Sequence, residues 1–141
     1  MTLKNTDSKY IIKVTNKQTV DNQTDTITET AYGSFYEKNG KQYILYKTES
    51  EGGRTSVIIR IDRDFVSIKR SGAVETSMEY RIGAGRRFLY RMPYGTIEME
   101  LETQKILSDL TENGGRIELV YTLSIQGEKY FNNTEITVDK R

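Results

Sequence analysis

Apolar and polar residues alternate along most of this chain with a period of two. The clearest case is the stretch RRFLYRMPYGTIEMELETQ (86–104), where every second residue on either side of the only proline is apolar. Such alternation is typical of a β-strand with one buried face, and we see almost no helical period. Turn signals such as Asn39-Gly40 and Gly52-Gly53 separate segments of about eight to thirteen residues. Residues 104–112 are less regular.

The segments predict an all-β fold, an antiparallel up-and-down (meander) β-barrel of about 8–10 strands. A meander of this kind leaves two exposed edge strands, and closure into a barrel removes both. A sandwich of two sheets is the alternative. The chain has the length of one domain. We therefore expect residues 1–141 to form a single barrel domain, with residues 1–8 as a loose N-terminal tail.

The stretch around the proline also predicts its own strand pairing. Met92-Pro93-Tyr94-Gly95 suits a type I turn, with proline at the second position and glycine at the fourth. A loop of even length then pairs Phe88 with Met99 on the apolar face and Arg87 with Glu100 on the charged face. A shift by one residue would destroy both matches, so the register is well specified.

Composition excludes several kinds of chemistry. The chain has no Cys and no His, which excludes disulfides, cysteine zinc sites and Ser-His-Asp triads. We expect no cofactor and no metal. The 21 Lys and Arg balance the 20 Asp and Glu, so no net field recruits nucleic acid, and we expect no nucleic-acid partner.

Hydropathy gives an expectation about location. The first residues, MTLKNTDSKYIIKVTNKQ, lack the apolar core of a signal peptide. No apolar run approaches the roughly 18 residues that a membrane helix needs. We therefore expect a cytoplasmic protein without a membrane span; the oligomeric state does not follow from the sequence.

Several motifs occur in an order that resembles a known family. They are GSFYEKNGKQYILYKTE (33–49), IKRSG (68–72), SMEYRIG (77–83), MPYGTIEMELETQKI (92–106) and GGRIELVYTLSIQG (114–127). Together they resemble the YwiB-like family of small β-barrel proteins from Gram-positive bacteria, which are similar in shape to lipocalins and fatty-acid-binding proteins. Met92 stands where members usually carry Thr. The resemblance implies a bacterial, calycin/lipocalin-like barrel and carries no established activity.

Arg70 is the first candidate for a binding residue, because it shares a strand face with Val66 and Ile68. If that face points inward, the guanidinium must be paired, and it could hold the carboxylate of a ligand. The alternatives are a place at the barrel rim or a pair with an internal Glu29 that locks the register.

The other candidates are large side chains on apolar faces: Tyr80, Tyr90, Tyr121, Met78 and Met99. Tyrosine provides apolar area and one hydroxyl that seeks a partner, and methionine adapts to irregular space. These residues could line a ligand cavity around Arg70, or they could belong to an ordinary core in which each hydroxyl is satisfied.

Three hypotheses on function follow. The first is a barrel that holds a small apolar or anionic, fatty-acid-like molecule in its interior. The second is a non-enzymatic protein-interaction or structural module with a filled core. The third is an enzyme that uses Tyr and a carboxylate. It ranks last, because Glu29 is the one carboxylate that falls near an apolar face, and we assign no catalytic residue.

Overall fold

The computed structural model describes residues 9–50, 52–83 and 85–141, and antiparallel β-strands account for most of them. The predicted all-β fold is confirmed. The predicted N-terminal tail, residues 1–8, lies outside the described residues. The ten strands are β1 (Tyr10–Val20), β2 (Gln23–Lys38), β3 (Lys41–Ser50), β4 (Gly53–Asp62), β5 (Phe65–Gly72), β6 (Thr76–Arg81), β7 (Arg86–Met92), β8 (Gly95–Thr111), β9 (Gly114–Ile125) and β10 (Glu128–Lys140).

The strands form one sheet that curls into a nearly closed barrel. Their order is β6-β5-β4-β3-β2-β1-β10-β9-β8-β7, so β1 pairs with β10 and the two edges are β6 and β7. Where these edges meet, the main chains of Glu75 and Arg91 exchange two hydrogen bonds of 2.9 Å. A parallel bridge joins Ile82 to Thr103 further along. We call this weakly paired line between β6 and β7 the seam.

The β7–β8 hairpin has the register that its sequence predicts. Phe88 lies opposite Met99, and Arg87 lies opposite Glu100. Beyond this hairpin, β8 contains a bulge between Thr103 and Lys105. Because a bulge adds one residue to a strand, it exchanges the inward and outward positions that follow it. This exchange explains why the alternation weakens after residue 103.

Alternate residues of the strands meet inside the barrel and fill its central part. The side chains with no exposed surface are Ile44, Ile59, Val66, Ile117, Leu119, Ile136 and Val138. Each such aliphatic side chain contributes about 1.5–3 kcal/mol by leaving water. The barrel therefore has a packed apolar core at its centre, as small barrels commonly do.

Two hairpins extend beyond their neighbours at one end of the barrel. Residues 23–32 of β2 pair with β1 alone, because the pairing of β2 with β3 begins at Gly33. Residues 95–99 of β8 pair with β7 alone, because the pairing of β8 with β9 begins at Glu100. We call this end, which also carries the turn between β5 and β6, the mouth. No helix in the described part of the chain is long and apolar enough to cross a membrane.

Candidate anion-binding site at the barrel mouth

One row of inward-facing residues crosses four neighbouring strands near the mouth. Tyr46 on β3 lies opposite Val57 on β4, Val57 lies opposite Arg70 on β5, and Arg70 lies opposite Thr76 on β6. Tyr46 and Thr76 are buried, whereas Arg70 is half-buried. Residues that are directly opposite in antiparallel strands share a face. The guanidinium of Arg70 therefore belongs to the inner wall.

The Arg70 side chain lies against the sulfur of a methionine rather than in an ion pair with a carboxylate. Its Nη1 is 4.0 Å from the sulfur of Met78, one residue pair deeper in the barrel. The ion pairs among the described residues do not include Arg70. Glu29 lies opposite Val14 and is exposed. The structure therefore does not contain the Arg70–Glu29 pair that could have locked the register.

Two hydroxyl groups accompany Arg70 in this row. The Oγ1 atom of Thr76 is buried and has no hydrogen-bond partner within the described part of the protein. Burial raises the pKa of Tyr46 to about 12, an effect that Arg70 opposes and Glu29 reinforces. At neutral pH the Tyr46 hydroxyl therefore keeps its proton and can donate a hydrogen bond. Together the row offers one cation and two hydroxyls.

Tyr80 and Tyr121 lie below the row, with ring centroids 4.9 Å apart and ring planes at 68°. The Tyr80 hydroxyl is 3.6 Å from the Met78 sulfur. Burial raises the pKa of Tyr80 well above its ordinary value, the neighbouring Tyr121 raises it further, and Arg70 lowers it. Tyr80 therefore stays neutral, and the two rings form an aromatic floor below the row.

The hydroxyl of Tyr121 continues into a hydrogen-bonded chain. It lies 3.0 Å from Oγ1 of Thr134, which donates to Oδ1 of Asn16 at 2.8 Å. The Asn16 amide in turn donates to Oδ1 of Asn132 at 3.1 Å. This chain joins β9, β10 and β1 from inside the barrel. Such satisfied buried networks stiffen a core and favour a unique arrangement.

The remaining sequence candidates lie elsewhere. Tyr90 and Met99 are half-buried on the projecting β7–β8 hairpin. Tyr90 lines a groove of about 560 Å³ along the seam, and Met99 lines a separate groove of about 470 Å³ beside Arg87. The structure thus groups Arg70 with Met78, Tyr80 and Tyr121, and it places Tyr90 and Met99 outside that group.

Sequence reasoning did not select Tyr46 and Thr76. Both follow the alternation of their strands, so each could be assigned to an inward face. Their closeness to Arg70 depends on the pairings of β3 with β4, β4 with β5 and β5 with β6, which alternation does not provide. Among the residues that the structure describes, no three acidic side chains come together as a metal site would require.

These features define a small antiparallel β-barrel with a packed centre and a mixed cationic and hydroxyl site at one end. The chain belongs to the family described as Domain of unknown function (DUF1934), whose model matches residues 12–138.

Similar proteins agree with this assignment. The chain is 32% identical over 108 residues to the "Uncharacterized beta-barrel protein YwiB" of Bacillus subtilis (strain 168), a match that covers 76% of each chain. It also superimposes on the crystal structure of the ywiB protein from Bacillus subtilis with a TM-score of 0.88 and 28% identity, covering 95% of this chain and 92% of the other. The resemblance found in the motifs is confirmed.

Proposed function

We propose that this protein binds a small molecule that carries a carboxylate, with the carboxylate at the row of Tyr46, Arg70 and Thr76. Arg70 provides the charge and a pair of parallel N–H donors. Thr76 and Tyr46 provide hydroxyl donors, and Met78 and Tyr80 contact the part of the ligand next to the carboxylate. The observation that carries the proposal is an inward guanidinium that lies against a thioether rather than a carboxylate.

The energetics of a half-buried cation support this proposal. A charge that is partly removed from water loses solvation, and proteins recover that loss by pairing the charge and hydrogen-bonding it. Arg70 has no carboxylate partner in the described part of the chain. The buried hydroxyl of Thr76, next to Arg70, has no hydrogen-bond partner there. A ligand carboxylate satisfies both groups at once, because its two oxygens accept several hydrogen bonds.

The packed centre of the barrel supports a site at the mouth rather than deep inside. Ile44 and Ile59, the inward residues on the next row down, have no exposed surface. A ligand therefore finds no room below the row without displacing core side chains, which costs about 1–3 kcal/mol or more. In our proposal the ligand lies between the aromatic floor and the two projecting hairpins.

The test begins with native mass spectrometry of the purified protein before and after organic extraction, followed by calorimetric titration with decanoate. We expect Arg70→Gln to weaken decanoate binding by about ten- to hundredfold, the usual value of a hydrogen-bonded charge contact. Arg54→Gln is the matched control, because Arg54 carries the same charge on an exposed surface pair with Glu49. Circular dichroism and thermal melting establish that both variants are folded.

Two results would overturn the proposal. One is a wild-type protein that shows a single bare mass and binds no decanoate. The other is equal binding by wild type and Arg70→Gln, which would place the ligand elsewhere. The first result favours the competing hypothesis, an interaction module with a filled barrel.

A further inference from the structure

We infer that the apolar part of the ligand lies in the groove along the seam, so that the ligand is a single-chain amphiphile with its carboxylate at Arg70. This inference rests on the function proposed above and adds the class of ligand and the path of its chain. The seam groove has a volume of about 560 Å³ and is lined by residues that include Gly52, Ala73, Val74, Tyr90, Met92 and Pro93.

The segment between β5 and β6 connects the residues of the seam groove to those of the anion site. Val74 lines the groove, and Thr76, two residues later, belongs to the row with Arg70. Two residues of extended chain span roughly 7 Å. The backbone N–H of Val74 donates to the hydroxyl of inward-facing Thr55 at 3.3 Å, which holds this segment against β4. A ligand with its carboxylate at Arg70 therefore reaches the groove within a few methylene groups.

The chemistry of the groove suits an apolar chain. Val74, Met92 and Pro93 carry no polar side-chain donor, and Tyr90 has a large apolar ring. A volume of this size lies within the range of small-molecule sites, which are mostly apolar with a few polar groups that fix orientation. Charge at one end and apolar surface at the other complement a molecule with a carboxylate and an unbranched chain.

The seam leaves space because β6 and β7 are joined there by few contacts. Near the mouth, the pair Glu75–Arg91 holds the two edges together by two main-chain hydrogen bonds. Gly52 keeps this space open, since an added Cβ would lie 3.4 Å from Cγ of Pro93 and 3.7 Å from Cβ of Ala73. A larger side chain at position 52 would therefore occupy the groove itself.

The experiment measures calorimetric affinities of the full chain for unbranched carboxylates from butanoate to dodecanoate. For the wild type we expect the affinity to rise about fourfold with each methylene until the groove is full. Gly52→Val should flatten this rise, because its side chain takes up space in the groove. Ser56→Val is the control, because it adds the same side chain on the exposed face of β4. A second variant, Tyr90→Ala, enlarges the groove and should move the plateau to longer chains.

Failure of the groove and failure of the anion site give different results. Two results would show that the apolar chain of the ligand does not lie in the seam groove. One is a wild-type affinity that does not depend on the length of the carboxylate, and the other is a wild-type profile in both Gly52→Val and Tyr90→Ala. In both cases the anion site stands. Arg70→Gln should weaken every chain length by the same factor, and this result separates the two contributions. If no carboxylate of any length binds, both the groove and the anion site are overturned.

Discussion

Tyr46 allows a direct test of the environment beside Arg70. The residue has 3% of its surface exposed, and burial raises the pKa of its hydroxyl from 10.0 to about 12. Tyr46→Phe removes the titrating group and keeps the ring, so the packing against neighbouring strands is preserved. The variant therefore isolates the contribution of one buried hydroxyl to the stability of the barrel.

The sign and size of the effect follow from proton binding. In the unfolded chain the hydroxyl loses its proton near pH 10, whereas in the folded protein it keeps the proton to about pH 12. Between these values the unfolded state binds fewer protons, so the free energy of unfolding falls as the pH rises. A shift of about two pKa units corresponds to about 3 kcal/mol. This contribution is fully present below pH 10 and is lost as the pH approaches 12.

Urea unfolding at pH 8 and at several values between pH 10 and pH 12 measures the effect. We expect the wild type to lose about 3 kcal/mol more than Tyr46→Phe over this interval. Tyr94→Phe serves as the control for removing a tyrosine hydroxyl, because Tyr94 is 86% exposed. If the stabilities of wild type and Tyr46→Phe run parallel from pH 8 to pH 12, the hydroxyl is hydrated and the described burial is wrong.

Three further predictions concern packing and hydrogen bonding, with thermal or urea unfolding as the measurement. Gly33→Ala should cost about 1–3 kcal/mol, because its Cβ would lie 2.5 Å from a main-chain oxygen of β3. Gly85→Ala is the control: its Cβ would meet a flexible side chain at 3.1 Å, so it should cost less than about 0.5 kcal/mol. Thr134→Val should cost about 1–3 kcal/mol by removing the link between buried Tyr121 and half-buried Asn16, and a neutral effect would refute the network. Leu119→Ala should cost about 2–5 kcal/mol, and the same change at half-exposed Leu107 far less.

The strand faces and the hairpin around Pro93 follow from the sequence alone. A period of two is a local property of the backbone, so Arg70 and Tyr80 could be assigned to inward faces without knowing their neighbours. The turn at Pro93 is local as well, and it determines which residue of β7 lies opposite each residue of β8. The absence of Cys and His likewise excludes whole classes of site, because a thiolate or an imidazole has no substitute among the other side chains.

Only the tertiary structure decided where the sheet closes and what the barrel contains. When a meander curls into a barrel, the weakly paired junction can fall between different pairs of strands. Here β1 pairs with β10, and the seam lies between β6 and β7. The extra residue between Thr103 and Lys105 exchanges the inward and outward positions in the second half of β8. In the sequence this exchange is visible only as a loss of regular alternation. Whether the centre is packed or hollow depends on the summed volumes of side chains from all ten strands. The grouping of Tyr46, Arg70 and Thr76 depends in turn on register between strands, because residues far apart in sequence become neighbours only when the sheet is paired.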